Sequence, residues 1–163
     1  MSHAALRRGQ ALTEFALVLP LLLLLFFAIF EFGRFVLAYE ALNNAVREGA
    51  RYAIVHGSSS LCPSGPMPGP ASPSSCAHPD GGDVADQVIR FGFTLTLAGS
   101  GMQVAQPEAC QVPGANQVTV CWWPDNARNS TVTVIANARF STLIPLPLPQ
   151  IGMIARSSLV VNH

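Results

Sequence analysis

The chain has 163 residues, 11 % of them charged, and its nine acidic residues balance nine basic ones, every one an Arg. Zero net charge excludes the basic face a nucleic-acid binder needs, and the absence of Lys excludes a Walker-type phosphate loop and a Schiff-base enzyme. Half of the chain is hydrophobic, which excludes a charged, disordered polymer.

Residues 1–9 read as a short polar leader with Arg7 and Arg8 near its end and Gly9 closing it. The next segment, 10–56, reads as one long helix. Its first part, 11–30, holds the run FALVLPLLLLLFFAIF and is interrupted only by Thr13 and Glu14. Twenty helical residues span about 30 Å, the thickness of a bilayer's hydrocarbon core. Arg7 and Arg8 place the N-terminus in the cytoplasm by the positive-inside rule, with the remaining chain outside. The chain is therefore expected to cross a membrane once, with its N-terminus on the cytoplasmic side. The stretch Leu143–Ile154 is too short to span and is broken by Pro145, Pro147 and Pro149.

The second part, 31–56, is amphipathic. Phe32, Phe35, Tyr39, Leu42, Val46, Gly49 and Ala53 recur at three- and four-residue steps. Glu31–Arg34 and Glu48–Arg51 are i,i+3 pairs that support the helix. The whole helix would run about 70 Å, with a kink expected at Pro20. So long a helix needs lipid for one part and neighbours for another, and the Phe32–Phe35–Tyr39–Leu42 stripe is expected to divide between a sheet of its own chain and other subunits.

Residues 57–82 are rich in Pro, Gly and Ser and read as an irregular surface loop that builds no core. Cys62 and Cys76 lie in it, and Cys110 and Cys121 follow. An even cysteine count behind an export-type segment points to two disulfides in an oxidising compartment. Of the three pairings, Cys62–Cys76 and Cys110–Cys121 are favoured, because each closes a short loop. Zinc is disfavoured: there is no CxxC or HxxxH spacing, and His3, His56, His78 and His163 are scattered.

The segment 83–163 reads as an extracytoplasmic α+β domain. Asp80 or Asp83 is expected to cap a short helix with Val84, Val88 and Phe91 on one face. Three alternating stretches follow, around 118–123, 132–140 and 155–161. A Pro-Asp-Asn turn at 124–126 joins the first two and a Pro-rich loop at 145–149 the last two, giving an antiparallel meander. Trp122 and Trp123 read as core and interface residues. The apolar loop 143–148 is expected to pack on the long helix. Asn129-Ser130-Thr131 fits a glycosylation acceptor, a match common by chance.

The sharpest chemistry lies at the start. A cut after Gly9 would leave Gln10 as position one and Glu14 as position five. An ionised carboxylate inside a membrane helix costs about 2.5–3.5 kcal/mol or more, so it needs a partner. The new amino group on Gln10 of a neighbouring helix would supply one and set the register of a stack.

With GQALTEFALVLP, EFGR at 31–34 and ALNNAVREGARYA at 41–53, the stretch 7–56 closely resembles the N-terminal segment of TadE-like pseudopilins of the tight-adherence (Tad/Flp, type IVc) pilus systems. The two β segments around LIPLPLP are similar to the family more loosely. The resemblance implies cleavage after Gly9 by a membrane aspartyl prepilin peptidase and a fifth-position role for Glu14. It implies as partners membrane lipid, the peptidase, other pilin or pseudopilin subunits, Tad assembly proteins and further copies of the chain. It implies no cofactor.

Enzyme readings end at the motifs: there is no HExxH and no GxSxG, and Gly99-Ser100-Gly101 lacks the third glycine of a dinucleotide site. The competing reading is an uncleaved single-pass protein whose outer domain binds a partner or a wall component. A secretory signal cut after Ala38 is opposed by Glu31 and Arg34, which stand between the apolar run and that site.

Overall fold

The computed structural model describes residues 3–68, 75–92, 95, 97–143 and 150–162. The chain divides into two compact units, residues 1–36 and 37–163. Helix α1 (His3–Val55) runs through both. It begins in the leader, seven positions before the expected start at Gln10, because Ala4, Ala5, Leu6, Arg7 and Arg8 are all strong helix formers. The helix continues through Pro20.

In the first unit every described side chain from Ala11 to Phe30 is exposed. The apolar 18-residue window there has a mean hydropathy of 2.7, and α1 is long and apolar enough to cross a membrane. At the unit's end Arg34 Nη1 lies 2.7 Å from Glu31 Oε2, the expected i,i+3 pair.

In the second unit the end of α1 turns inward. Leu42, Ala45, Val46 and Ala50 are fully buried and Ala53 nearly so. At Gly49 the backbone comes close to helix α2 (Gly82–Phe91): a Cβ there would strike the Val88 side chain and come within 3.5 Å of the Val84 carbonyl oxygen. The helix stops where the His56 ring folds back on its own last turn. His56 Nδ1 lies 2.9 Å from the Tyr52 carbonyl and the two rings stack at 3.9 Å.

Neither Asp80 nor Asp83 is the N-cap of α2. The cap is Gly81, at φ +63°, a left-handed conformation that glycine adopts without strain. Asp80 Oδ1 accepts from the Gly82 N–H at 3.2 Å, while Asp83 sits inside the first turn. Val84 and Val88 are fully buried as expected, but Phe91, the last helical residue, is 49 % exposed, since Gly92 ends the helix there.

Four strands make one sheet in the order β1–β2–β3–β4: β1 (Ala98–Val104), β2 (Gln117–Trp123), β3 (Thr131–Phe140) and β4 (Ile151–Val160). β2, β3 and β4 are the antiparallel meander read from the sequence. β1 is an addition, pairing parallel to β2 with a register break between Gly99 and Met102. Its sequence, AGSGMQV, has no β-branched or aromatic alternation until its end, so the period-2 signal is missing.

Trp122, Val120, Val134 and Ala136 lie on one face of the sheet, each at most 1 % exposed. The opposite face is covered at its centre, where Cys110, Cys121 and Ile135 cluster. The loop 57–82 departs from expectation. Pro63, Ser64 and Gly65 are buried, because Gly65, at φ +85°, lets the backbone lie directly on the Trp122 indole. The loop expected at 145–149 lies outside the described residues.

Candidate functional site

Two groups of residues stand out, one in each unit. In the first unit α1 carries Gly9 and Gln10 within its helical backbone, although their side chains lie outside the described residues. Glu14 follows one turn after Gln10, on an exposed stretch of an otherwise apolar helix. From Phe15 to Phe30 no further charge occurs. Of the expected packing stripe, Phe32 is 68 % exposed in this unit. In the second unit Tyr39 is half-exposed, while Leu42 and Val46 are fully buried.

The second group was not legible in the sequence. Where α1 ends, the loop crosses and α2 begins, polar groups converge. The Ser64 hydroxyl, fully buried, donates to Asp83 Oδ2, and Asp83 Oδ1 accepts from the Val84 N–H at 2.9 Å. Burial pushes the Tyr52 phenol up from its ordinary value, and the charge and hydrogen bonding of Asp83 add to the rise. Asn126, also buried, ties this group to the sheet. Its Nδ2 donates to the Ser64 carbonyl at 2.8 Å, its N–H to the Pro66 carbonyl at 2.9 Å, and its carbonyl accepts from Ser58 N–H at 3.0 Å. The only hint in the sequence was the Pro-Asp-Asn turn.

Both favoured disulfides, Cys62–Cys76 and Cys110–Cys121, are present. The first closes the Pro-rich loop; the second joins the 3-10 turn Pro107–Ala109 to β2 beside Ile135. Among the described residues, no group of three or more His, Cys, Asp or Glu side chains is placed to hold a metal ion.

The Ser64 hydroxyl and the Asp83 carboxylate satisfy one another, while Asn126 Oδ1 is buried without a hydrogen-bond partner among the described residues. No curated protein and no solved structure matches the chain. Within the long helix, residues 9–51 match the model of the family described as TadE-like protein, so this segment is similar to that family.

Proposed function

We propose that the chain is a pilin-like structural and assembly subunit, a minor pseudopilin of a Tad/Flp-type pilus or secretion apparatus, and not an enzyme. The observation that carries this reading is the family match, which begins at Gly9, the residue before the expected cut. In this reading a prepilin peptidase cleaves after Gly9, and Gln10 becomes the N-terminus. Its ammonium group meets Glu14 of a neighbouring helix, offsetting the cost of a carboxylate in lipid. The apolar faces of adjacent helices then pack in lipid or in the core of a filament. Phe32, Phe35 and Tyr39 extend that contact beyond the membrane, while Leu42 and Val46 anchor the outer domain to its own helix. Arg7 and Arg8 keep the leader cytoplasmic and send the disulfide-bonded unit to the outer side of the inner membrane.

One observation favours the second reading, an uncleaved single-pass protein with a binding outer domain: α1 is helical through Gly9 and Gln10. Peptidases act on extended backbone, so cleavage requires the first turns to unwind. Gly9 lowers the cost of that unwinding by about 1 kcal/mol relative to Ala.

N-terminal mass spectrometry of protein extracted from the membranes of a host with a prepilin peptidase separates the two. The expected mature chain starts at Gln10, and Glu14→Ala abolishes assembly while the chain still inserts. A chain that keeps Met1 or Ser2, with a silent Glu14→Ala, overturns the proposal and leaves the second reading.

A further inference from the structure

The sheet has two edges of opposite character. At the β1 edge the register breaks between Gly99 and Met102, and Gly101 stands at φ +87°. Beside it stand Asp80, which precedes the Gly81 cap of α2, and Asp86 within α2, both exposed. Together with Gly82, Gly99 and Gly101 they line an open cleft of about 250 Å³. A Cβ at Gly101 would meet nothing within 4 Å.

At the other edge β4 pairs with β3 over ten residues without a break, and its outer side pairs with no other strand among the described residues. Such an edge is a template for association unless something blunts it. β4 contains no Pro and only one charge, Arg156. By strand alternation and register, Arg156 shares a sheet face with Arg139 of β3, and both are exposed. β3 and β4 carry no acidic residue. Neither arginine forms a salt bridge among the described residues; Arg139 Nη1 reaches only Gln150 Oε1, at 3.2 Å. Ile154 and Val160, each about half-exposed, lie on the same face.

The basic face and the acidic cleft sit at opposite ends of the strand order, so they do not meet within one copy. Between copies they are complementary. A symmetric pairing of β4 with itself is opposed by Arg156, which is sixth of the ten residues and would lie close to its own counterpart. A head-to-tail arrangement brings face and cleft together and leaves a free cleft and a free arginine face after each addition until a ring closes.

We propose that the Arg139–Arg156 face of β3 and β4 docks against the Asp80–Asp86 cleft of a second copy of this chain. The contact rests on the reading that copies assemble through their helices. It gives that assembly a second attachment, made by the outer units.

The test uses the full chain in bacterial membranes, with a benzoylphenylalanine photo-crosslinker in place of Ile154 and a separate sample carrying it in place of Leu24. Mixing isotopically labelled and unlabelled chains identifies adducts between copies. The Ile154 probe is expected to label 80–86 or 98–101 of a second copy. Arg156→Glu or Asp86→Arg alone should lower that yield at least ~10-fold, since each sets like charges face to face. The chain carrying both changes should recover it, which a merely misfolded variant would not do. Adducts from Leu24 without adducts from Ile154 overturn the docking and leave helix assembly standing. Absence of both overturns the assembly reading too. Ile154 adducts confined to lipid, or no recovery in the double variant, overturn the docking.

Discussion

Leu22 and Val120 are both aliphatic, yet Leu22 is 44 % exposed and Val120 is 1 % exposed. The difference lies in their surroundings. Val120 sits beside Trp122 on a sheet face covered by α2 and by the loop around Gly65, so its burial is completed within the second unit. Leu22 belongs to a helix whose apolar side chains from 11 to 30 are exposed all round, and a helix apolar on every side is built for a non-aqueous surrounding. One region carries its solvent inside itself; the other must be given one. The contrast teaches that hydrophobic content marks what must leave water, and the spacing of that content marks whether its own fold can remove it.

The largest expected effect comes from breaking the self-sufficient region. Trp122 is 1 % exposed and is roofed by Gly65 and flanked by Gly81, so Trp122→Ala opens a cavity that backbone lying on the ring cannot collapse to fill. A loss of about 3–5 kcal/mol is expected. In detergent-solubilised full chain, circular dichroism should show the sheet unit melting early while the helical signal of 11–36 persists. The next effect tests the other region. Leu22→Arg places a charge at the middle of the span and should cost about 2.5–3.5 kcal/mol in membrane insertion. Carbonate-extracted membranes should contain less of it, whereas the melting of residues 37–163 should not move. A fall in that melting temperature would break the comparison.

How far each region was legible follows from the same contrast. The span needs only composition and length, so residues 11–30 declared it, and the family signature from Gly9 to Arg51 lies on that one helix. Strands β2, β3 and β4 alternate every second residue and were equally readable. The missed elements depend on contacts between distant segments. β1 has a glycine-rich sequence and becomes a strand only by joining β2. Ser64 looks like any loop serine until Asp83, nineteen residues later, accepts a hydrogen bond from it. Gly81 caps α2 through its backbone angle, a property that its two aspartate neighbours, Asp80 and Asp83, concealed. The early carboxylate, Glu14, was visible for the opposite reason: it conflicts with its local surroundings, and such conflicts mark function more than packing.

The smallest effect examines the buried polar group that holds the second unit's first three segments together. The Tyr52 phenol is raised above 10.0, first by burial and then by the Asp83 carboxylate. Below pH 10 the phenol is protonated in both folded and unfolded chains, so Tyr52 adds no pH dependence. As pH rises past that value the unfolded chain releases its proton while the folded chain keeps it, and the equilibrium shifts toward unfolding. Stability of the second unit should therefore fall above pH 10 in a way that Tyr52→Phe does not share. The same substitution removes a hydrogen bond to Asp83 and should lower stability near neutral pH by about 0.5–1.5 kcal/mol. Thermal melts of the two proteins from pH 8 to 11 should thus start apart and converge. Curves that stay parallel would mean that the Tyr52–Asp83 contact is not what senses alkali, and that the helix end is held by apolar burial at Val46, Gly49 and Ala50 alone.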